Sequence, residues 1–274
     1  LRDISLRALD LLKSVAVVAA EDTRVTAKLF NHYGIANRLV ALHEHNEKRV
    51  APQLLAQLAA GKAVALVSDA GTPGISDPGA QLVAAARDAG YAVIPVPGAN
   101  AAVAAISASG LTAPHFMFYG FLPARAGERG RELAALAGLA CALVFYEAPH
   151  RVADSVADMR LAFGGGRRIV IARELTKMFE TIHACTLDEA VGWLAASDDH
   201  RRGEFVLIVE GMARLRGEEG ERGARHVLEV LLTELPLKQA VALAARITGG
   251  QRNALYEQAL ELKEKRAGEG AGKT

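Results

Sequence analysis

Two short segments rich in glycine and proline carry most of the chemistry legible in this chain. The first, Ser68-Asp-Ala-Gly-Thr-Pro-Gly-Ile-Ser-Asp-Pro-Gly79, follows an apolar stretch of strand length, Ala63–Val67. Its glycines let backbone approach a ligand, its prolines fix the loop's shape, and Asp69, Thr72, Ser76 and Asp77 offer polar contacts. The second, Pro97-Gly-Ala-Asn-Ala-Ala102, follows Ala92–Val96 and opens a helix of very small residues, leaving room for a flat, adenosine-sized body. Either alone could be a turn. On successive strands of one sheet, where α/β folds place ligands, the pair reads as a binding site. No GxGxxG accompanies them, so a dinucleotide fold has no direct support.

Other reactive residue types are sparse. His43 and His45 alternate beside a strand end without a third ligand at suitable spacing, so no metal site is expected. Cys141 and Cys185 stand apart, which fits a reducing compartment rather than a disulfide framework. The end of the chain, Ala267-Gly-Glu-Gly-Ala-Gly-Lys-Thr274, approaches a phosphate-binding loop in letters only. That loop needs a following helix to aim its N-terminus at phosphate, so a solvated tail is expected and ATP hydrolysis rejected.

The elements that must position these residues alternate in type. Strand-length apolar runs at Val15–Ala20, Leu39–Leu42, Ala63–Val67 and Ala92–Val96 enclose helical patterns such as Val50–Ala60 and Ala80–Asp88. That order predicts a parallel sheet covered by helices. From Pro114 on, strands are expected at Phe116–Gly120, Ala142–Tyr146, Ile169–Ala172, Thr181–Ala184 and Phe205–Glu210, forming a mixed sheet. The reading is therefore two α/β domains, 1–113 and 114–212. A third part, 213–274, comprises a charged linker (Ala213–Arg225), helices at His226–Glu234, Leu237–Ile247 and Gln251–Leu262, and the tail. The last two helices flank Gly249-Gly250, as in a helix-turn-helix or a plain docking hairpin.

Composition limits the alternatives. The 274 residues are 51% hydrophobic and 23% charged with mean hydropathy +0.15, which is globular and not disordered. A balance of 32 basic and 31 acidic residues announces no nucleic-acid binder, so any basic face must be local. No apolar run reaches bilayer-spanning length, and a cytoplasmic location without membrane association is expected.

A longer series of motifs is more specific. Ala20-Glu-Asp-Thr-Arg24, Leu42-His-Glu-His-Asn-Glu47, Ser68-Asp-Ala-Gly-Thr-Pro73, Gly120-Phe-Leu-Pro123, Phe145-Tyr-Glu-Ala-Pro-His-Arg151, Ala172-Arg-Glu-Leu-Thr-Lys177 and Gly203-Glu-Phe-Val-Leu-Ile-Val-Glu-Gly211 occur in that order. The paired glycine–proline loops resemble those of the tetrapyrrole methylase superfamily. The whole series is similar to its ribosomal RNA small subunit methyltransferase I branch, over nearly the full chain. Members of that branch open with a strand and a Pro-Ile-Gly-Asn-Leu loop. This sequence starts at Leu1, so the first strand of the family sheet is expected to be missing.

The resemblance implies S-adenosylmethionine as methyl donor, the 2'-hydroxyl of a cytidine ribose in 16S rRNA as acceptor, the rRNA or small ribosomal subunit as partner, and a homodimer. It implies a ligand cleft between the two α/β domains and places the donor against Asp69, Gly71, Thr72, Pro73, Asp77, Pro97, Gly98, Ala99, Asn100 and Ala101, with Gly120 and Tyr146 completing the cleft. A ribose hydroxyl needs help as a nucleophile. Among Glu21, Asp22, Glu44, His45, Glu147, His150 and Glu174, the choices for this role are Glu147, His150 and Glu21. For RNA contact Arg24, Arg125, Arg129 and Arg151 are selected. Further cations stand at Arg131, Arg167–Arg168 and Arg201–Arg202. A tetrapyrrole-type small-molecule methyltransferase is the enzyme alternative, disfavoured by the 5% aromatic content. A non-catalytic RNA-binding protein is the other.

Overall fold

The computed structural model describes residues 1–212 and 218–270, the side chains of 218–222 and 264–270 excepted. It divides into two compact units, Leu1–Gly211 and Met212–Thr274.

In the first unit, helix α1 (Leu6–Ser14) leads into strand β1 (Val17–Ala20), then α2 (Thr23–Tyr33), β2 (Leu39–Ala41), α3 (Glu47–Ala59), β3 (Val64–Val67) and α4 (Ala80–Asp88). The three strands form a parallel sheet in the order β2-β1-β3. Every β1 residue is buried, which suits the central strand of a sheet covered on both faces. Residues 92–96 were expected as a further strand and are not one: they join no ladder, and Val93 and Ile94 are exposed. An apolar run becomes a strand only where a neighbour can take its N–H and C=O groups. Helix α2 was not anticipated. Its N-cap is Asp22, which accepts the Arg24 N–H at 2.8 Å, so the Glu-Asp-Thr-Arg motif is a helix start.

The chain continues through α5 (Ala101–Ala108), β4 (Phe116–Phe121), α6 (Ala126–Leu136), β5 (Ala142–Glu147), α7 (Val152–Phe163), β6 (Arg168–Arg173), β7 (Thr181–Thr186), α8 (Leu187–Ala196) and β8 (Phe205–Val209). These strands make a mixed sheet, order β4-β5-β8-β6-β7, with β4 parallel to β5 and β8 antiparallel to both β5 and β6. Strands β4, β5 and β6 therefore end at the same edge. One face packs on α6, α7 and α8 around Leu143, Phe145, Ile169 and Leu207. The opposite face receives α5: Ala102 and Ala105 are buried against Ala142, Val144, Val170, Ala172, Val206 and Ile208. Alanines allow this close approach, so Ala102 and Ala105 are spent on packing. Their position also fixes the 97–100 segment against the second sheet.

The second unit holds α9 (Glu218–Glu234), α10 (Leu237–Thr248) and α11 (Arg252–Gly270) around Leu228, Ala240, Val241, Ala244, Leu255 and Ala259. Gly249, at φ +69°, closes α10 in the left-handed conformation that turns the chain into α11. The expected linker is shorter than read, because α9 already starts at Glu218 and tolerates Gly220 and Gly223. Residues 213–217 of that linker and 271–274 of the expected tail lie outside the described residues.

Candidate active site: a donor cleft and its supports

The two glycine–proline segments meet. Thr72 Oγ1 donates to the Ala99 carbonyl at 3.2 Å, and Gly71, at φ +82°, turns its Cα toward the same oxygen. Asn100 caps α5 by accepting the Val103 N–H at 3.0 Å, and the Tyr146 hydroxyl accepts the Ala102 N–H at 3.3 Å. Tyr146 is held edge-on by Phe118 and Phe121, with ring centroids 4.9 and 5.7 Å away. Gly120, at φ +86°, lies so close to the first loop that a Cβ there would meet Ser76 Oγ at 2.9 Å. Gly71, Thr72, Ala99, Asn100, Ala101, Gly120 and Tyr146 are thus brought together. Pro73, Pro97 and Gly98 sit between them in sequence. At Gly98 the nearest atom to a Cβ would be the Val96 carbonyl at 4.0 Å, so a Cβ there would make only ordinary contact.

An acidic border lines the carboxyl ends of β1 and β3. Glu21 Oε2 accepts the Asp69 N–H at 3.2 Å, while Asp69 Oδ1 accepts the Asp22 N–H at 3.0 Å, cross-linking the two strand ends. Asp22 also takes Arg24 in a two-point pair, which holds its carboxyl well below the usual range. Asp77 differs. Burial first, then the charge of Glu21 and to a lesser degree that of Asp69, push it up to about 6, against an opposing hydrogen bond from the Ser68 hydroxyl. Burial likewise raises Tyr146.

The remaining expected catalytic and RNA residues separate into two groups. Glu147 is buried, and both its oxygens are committed: Ser155 Oγ donates to Oε2 at 2.5 Å, and the Ala148 N–H to Oε1 at 2.9 Å. Arg151 Nε stands 3.3 Å from Glu147 Oε1, and its Nη2 donates to the carbonyls of Leu122 (2.5 Å) and Pro123 (3.2 Å). Arg129 is 4% exposed, donating to Asp158 at 2.7 Å and to the Ala124 carbonyl at 3.1 Å. Two guanidiniums therefore grip three successive carbonyls just beyond Gly120. Glu147 and Arg129, expected in chemistry and in RNA contact, are thus buried and bonded within the protein, and Arg151 bonds the same loop. Glu174 is also committed, to Lys177 at 2.8 Å and to the Glu204 N–H at 2.9 Å, which lowers its pKa. Arg24 and Arg125 are exposed, with side chains 87% and 84% accessible. His150, His43, Glu44 and His45 are exposed as well.

Sequence reasoning missed the supports. Asp158 and Ser155 give no motif signal, because their partners lie 29 and 8 residues away. Asn46 and Glu47 were visible in the His-Glu-His-Asn-Glu run but were read with the histidines. Buried Glu47 accepts the Leu82 N–H at 2.9 Å, anchoring the start of α4 just beyond the first loop, and Asn46 bonds His43 N and the Ala41 carbonyl.

Known proteins are similar to this chain in sequence and in fold. Residues 1–191 match the family described as Tetrapyrrole (Corrin/Porphyrin) Methylases, and residues 218–263 match the RsmI C-terminal HTH domain. The ribosomal RNA small subunit methyltransferase I of Pseudomonas aeruginosa is 52% identical over 95% of this chain and 93% of its own length. That of Mesorhizobium japonicum is 46% identical over 99% and 91%. Among solved structures, the methyltransferase CobJ superposes with a TM-score of 0.57 at 21% identity, covering 77% of this chain and 90% of CobJ. Uroporphyrin-III C-methyl transferase from Thermus thermophilus, complexed with S-adenyl homocysteine, gives 0.53 at 20%, covering 76% and 91%. These distant structures establish a shared fold alone; the close sequence relatives establish the family. The chain belongs to the ribosomal RNA small subunit methyltransferase I family, built on the tetrapyrrole methylase fold.

Proposed function

We infer that this chain transfers a methyl group from S-adenosylmethionine to the 2'-hydroxyl of a cytidine ribose in 16S rRNA, acting in the cytoplasm as a homodimer. The observation that carries the reading is the meeting of Thr72 with Ala99 and of Ser76 with Gly120, which joins both glycine–proline loops and the second sheet into one cleft. S-Adenosylmethionine supplies an electrophilic methyl on a sulfonium. The residues fit such a group: Glu21, Asp69 and Asp77 offer negative charge to a cation, and the unobstructed backbone at Gly98 leaves space for a planar base. Alignment of donor and acceptor is the main task of the protein and contributes roughly 7–11 kcal/mol in well-oriented reactions. Gly71–Thr72, Gly98–Ala101, Gly120 and Tyr146 perform it, and Arg24 and Arg125 meet RNA phosphates at the rim.

The test supplies tritiated donor with small ribosomal subunits from cells lacking the enzyme, with free 16S rRNA, and with a tetrapyrrole precursor. Label in RNA and none in the tetrapyrrole supports the reading; the reverse overturns it. Light scattering of the purified chain decides the dimer.

A further inference from the structure

We propose that Asp77 is the catalytic proton acceptor of the methyl transfer, receiving the hydrogen of the ribose 2'-hydroxyl. The proposal rests on the reading of the cleft as the donor site. Three observations set Asp77 apart from every other carboxylate nearby. Asp22, Glu21 and Asp69 each accept a backbone N–H, and Asp22 is paired with Arg24 as well. Glu147 is closed off by Ser155 and Ala148. Asp77, half-buried, takes no backbone N–H and no cation among the described residues; only the Ser68 hydroxyl reaches it, shared with the Ala70 carbonyl.

The second observation is backbone strain at the adjacent residue. Ser76 holds φ +63°, a left-handed conformation that residues other than glycine rarely adopt. Its Oγ faces Gly120. That strained residue immediately precedes Asp77 and stands where the first loop meets β4. Third, the groups facing Asp77 are Glu21 from the end of β1, Ser68 and Asp69 from its own loop, and Tyr146 from β5. All the charged ones are negative, so an ionised Asp77 has no protein counter-charge, and a bound cation supplies it.

This arrangement couples proton transfer to methyl transfer. The acceptor oxygen forms its bond to the methyl carbon as the carbon–sulfur bond breaks, and the electron pair of that bond stays on sulfur. The hydroxyl proton passes to the Asp77 carboxylate. One positive and one negative charge vanish together, which a half-buried site favours over separating them. As the cation's charge fades, the proton affinity of Asp77 rises again toward its resting value, near 6 through burial, Glu21 and Asp69. The acid then loses its proton to water before the next turnover.

The experiment compares wild type, Asp77→Asn and Asp77→Glu in the full chain. Calorimetric titration at pH 6 in buffers of different ionisation enthalpy counts protons released when S-adenosylmethionine binds. Wild type is expected to release a fraction of a proton with this donor and far less with S-adenosylhomocysteine, and Asp77→Asn none with either. At saturating donor, kcat on small subunits is expected to fall 10²–10⁴-fold in Asp77→Asn, the range for loss of a general base. Asp77→Glu should recover part of it. The wild-type rise of kcat/KM through pH 6 should disappear in Asp77→Asn. A kcat within tenfold of wild type, a retained pH profile, or unchanged proton release in Asp77→Asn overturns the proposal. Absence of donor binding or of methyl transfer in wild type instead overturns the reading beneath it.

Discussion

Thr72 Oγ1 and the Ala99 carbonyl lie 3.2 Å apart across 27 residues of sequence, and this bond joins the two glycine–proline loops. A neutral hydrogen bond of this kind contributes on the order of 1 kcal/mol. Thr72→Val keeps the shape and removes the donor. It should weaken S-adenosylmethionine binding about fivefold in calorimetric titration while moving Tm by only a few degrees. Unchanged affinity would mean that the loops keep their spacing without the bond.

Gly120 combines a left-handed φ with a close approach to Ser76. Gly120→Ala should cost about 1–2 kcal/mol from backbone strain alone, with a further loss of donor affinity as Ser76 is pushed aside. Ser76 is the far partner of that contact, so Gly120→Ala with Ser76→Gly should recover donor affinity but not the backbone cost. Simple additivity of the two substitutions in a double-mutant cycle would show that the contact carries nothing.

Glu147 and Arg129 were expected in chemistry and RNA contact, and the structure turns both inward. Arg129→Met leaves Asp158 unpaired and frees the Ala124 carbonyl, and removing one partner of a buried pair costs roughly 3–5 kcal/mol. The Asp158 side is partly exposed, so the lower end applies. Glu147→Gln should lower Tm by several degrees yet leave kcat within a few-fold at a permissive temperature. A hundredfold drop in kcat with unchanged Tm would restore Glu147 to the chemistry.

Asp77 gives stability a pH dependence of definite sign. Its folded pKa, about 6, lies above the ordinary 3.8, so the folded chain binds that proton more tightly than the unfolded chain does. The associated stability is complete below pH 4 and is lost as pH rises through 6. With the group half-exposed, the loss is on the order of 1 kcal/mol after solvent screening. Asp77→Asn should therefore melt a few degrees above wild type at pH 7 and equal to it at pH 4. The opposite order would show that Asp77 is held by an attractive contact.

Arg24 and Arg125 are the exposed cations that follow the carboxyl ends of β1 and β4. Reversing both to Glu should weaken small-subunit binding and flatten its salt dependence by about two charge equivalents. An unchanged salt slope would move the RNA interface elsewhere.

Period and punctuation made most of the elements legible. All eight strands among the described residues lie within about two residues of apolar runs visible in the sequence, and the mixed character of the second sheet follows from the close spacing of Ile169, Thr181 and Phe205. What periodicity could not show was pairing: Ala92–Val96 has a strand's composition and no ladder. At the site, the loops were readable because glycine and proline act locally. The functions of Glu147, Arg129 and Arg151 were not, because the carbonyls of Leu122, Pro123 and Ala124 that occupy those arginines carry no side-chain signature. A buried arginine and an RNA-binding arginine are the same letter.

On the proposed reading, the loops joined at Thr72, Ala99 and Gly120 deliver a donor methyl to a ribose hydroxyl of the small subunit. Gly98→Leu is the sharpest control, since a Cβ there meets nothing closer than the Val96 carbonyl at 4.0 Å and the larger side chain is aimed at the proposed donor site. Labelled methyl from S-adenosylmethionine should appear at one cytidine of the small subunit, as a 2'-O-methyl group that resists alkaline cleavage of the adjoining bond. It should vanish with Gly98→Leu while the fold is retained. Label on a base, or label that persists in Gly98→Leu, would contradict the account.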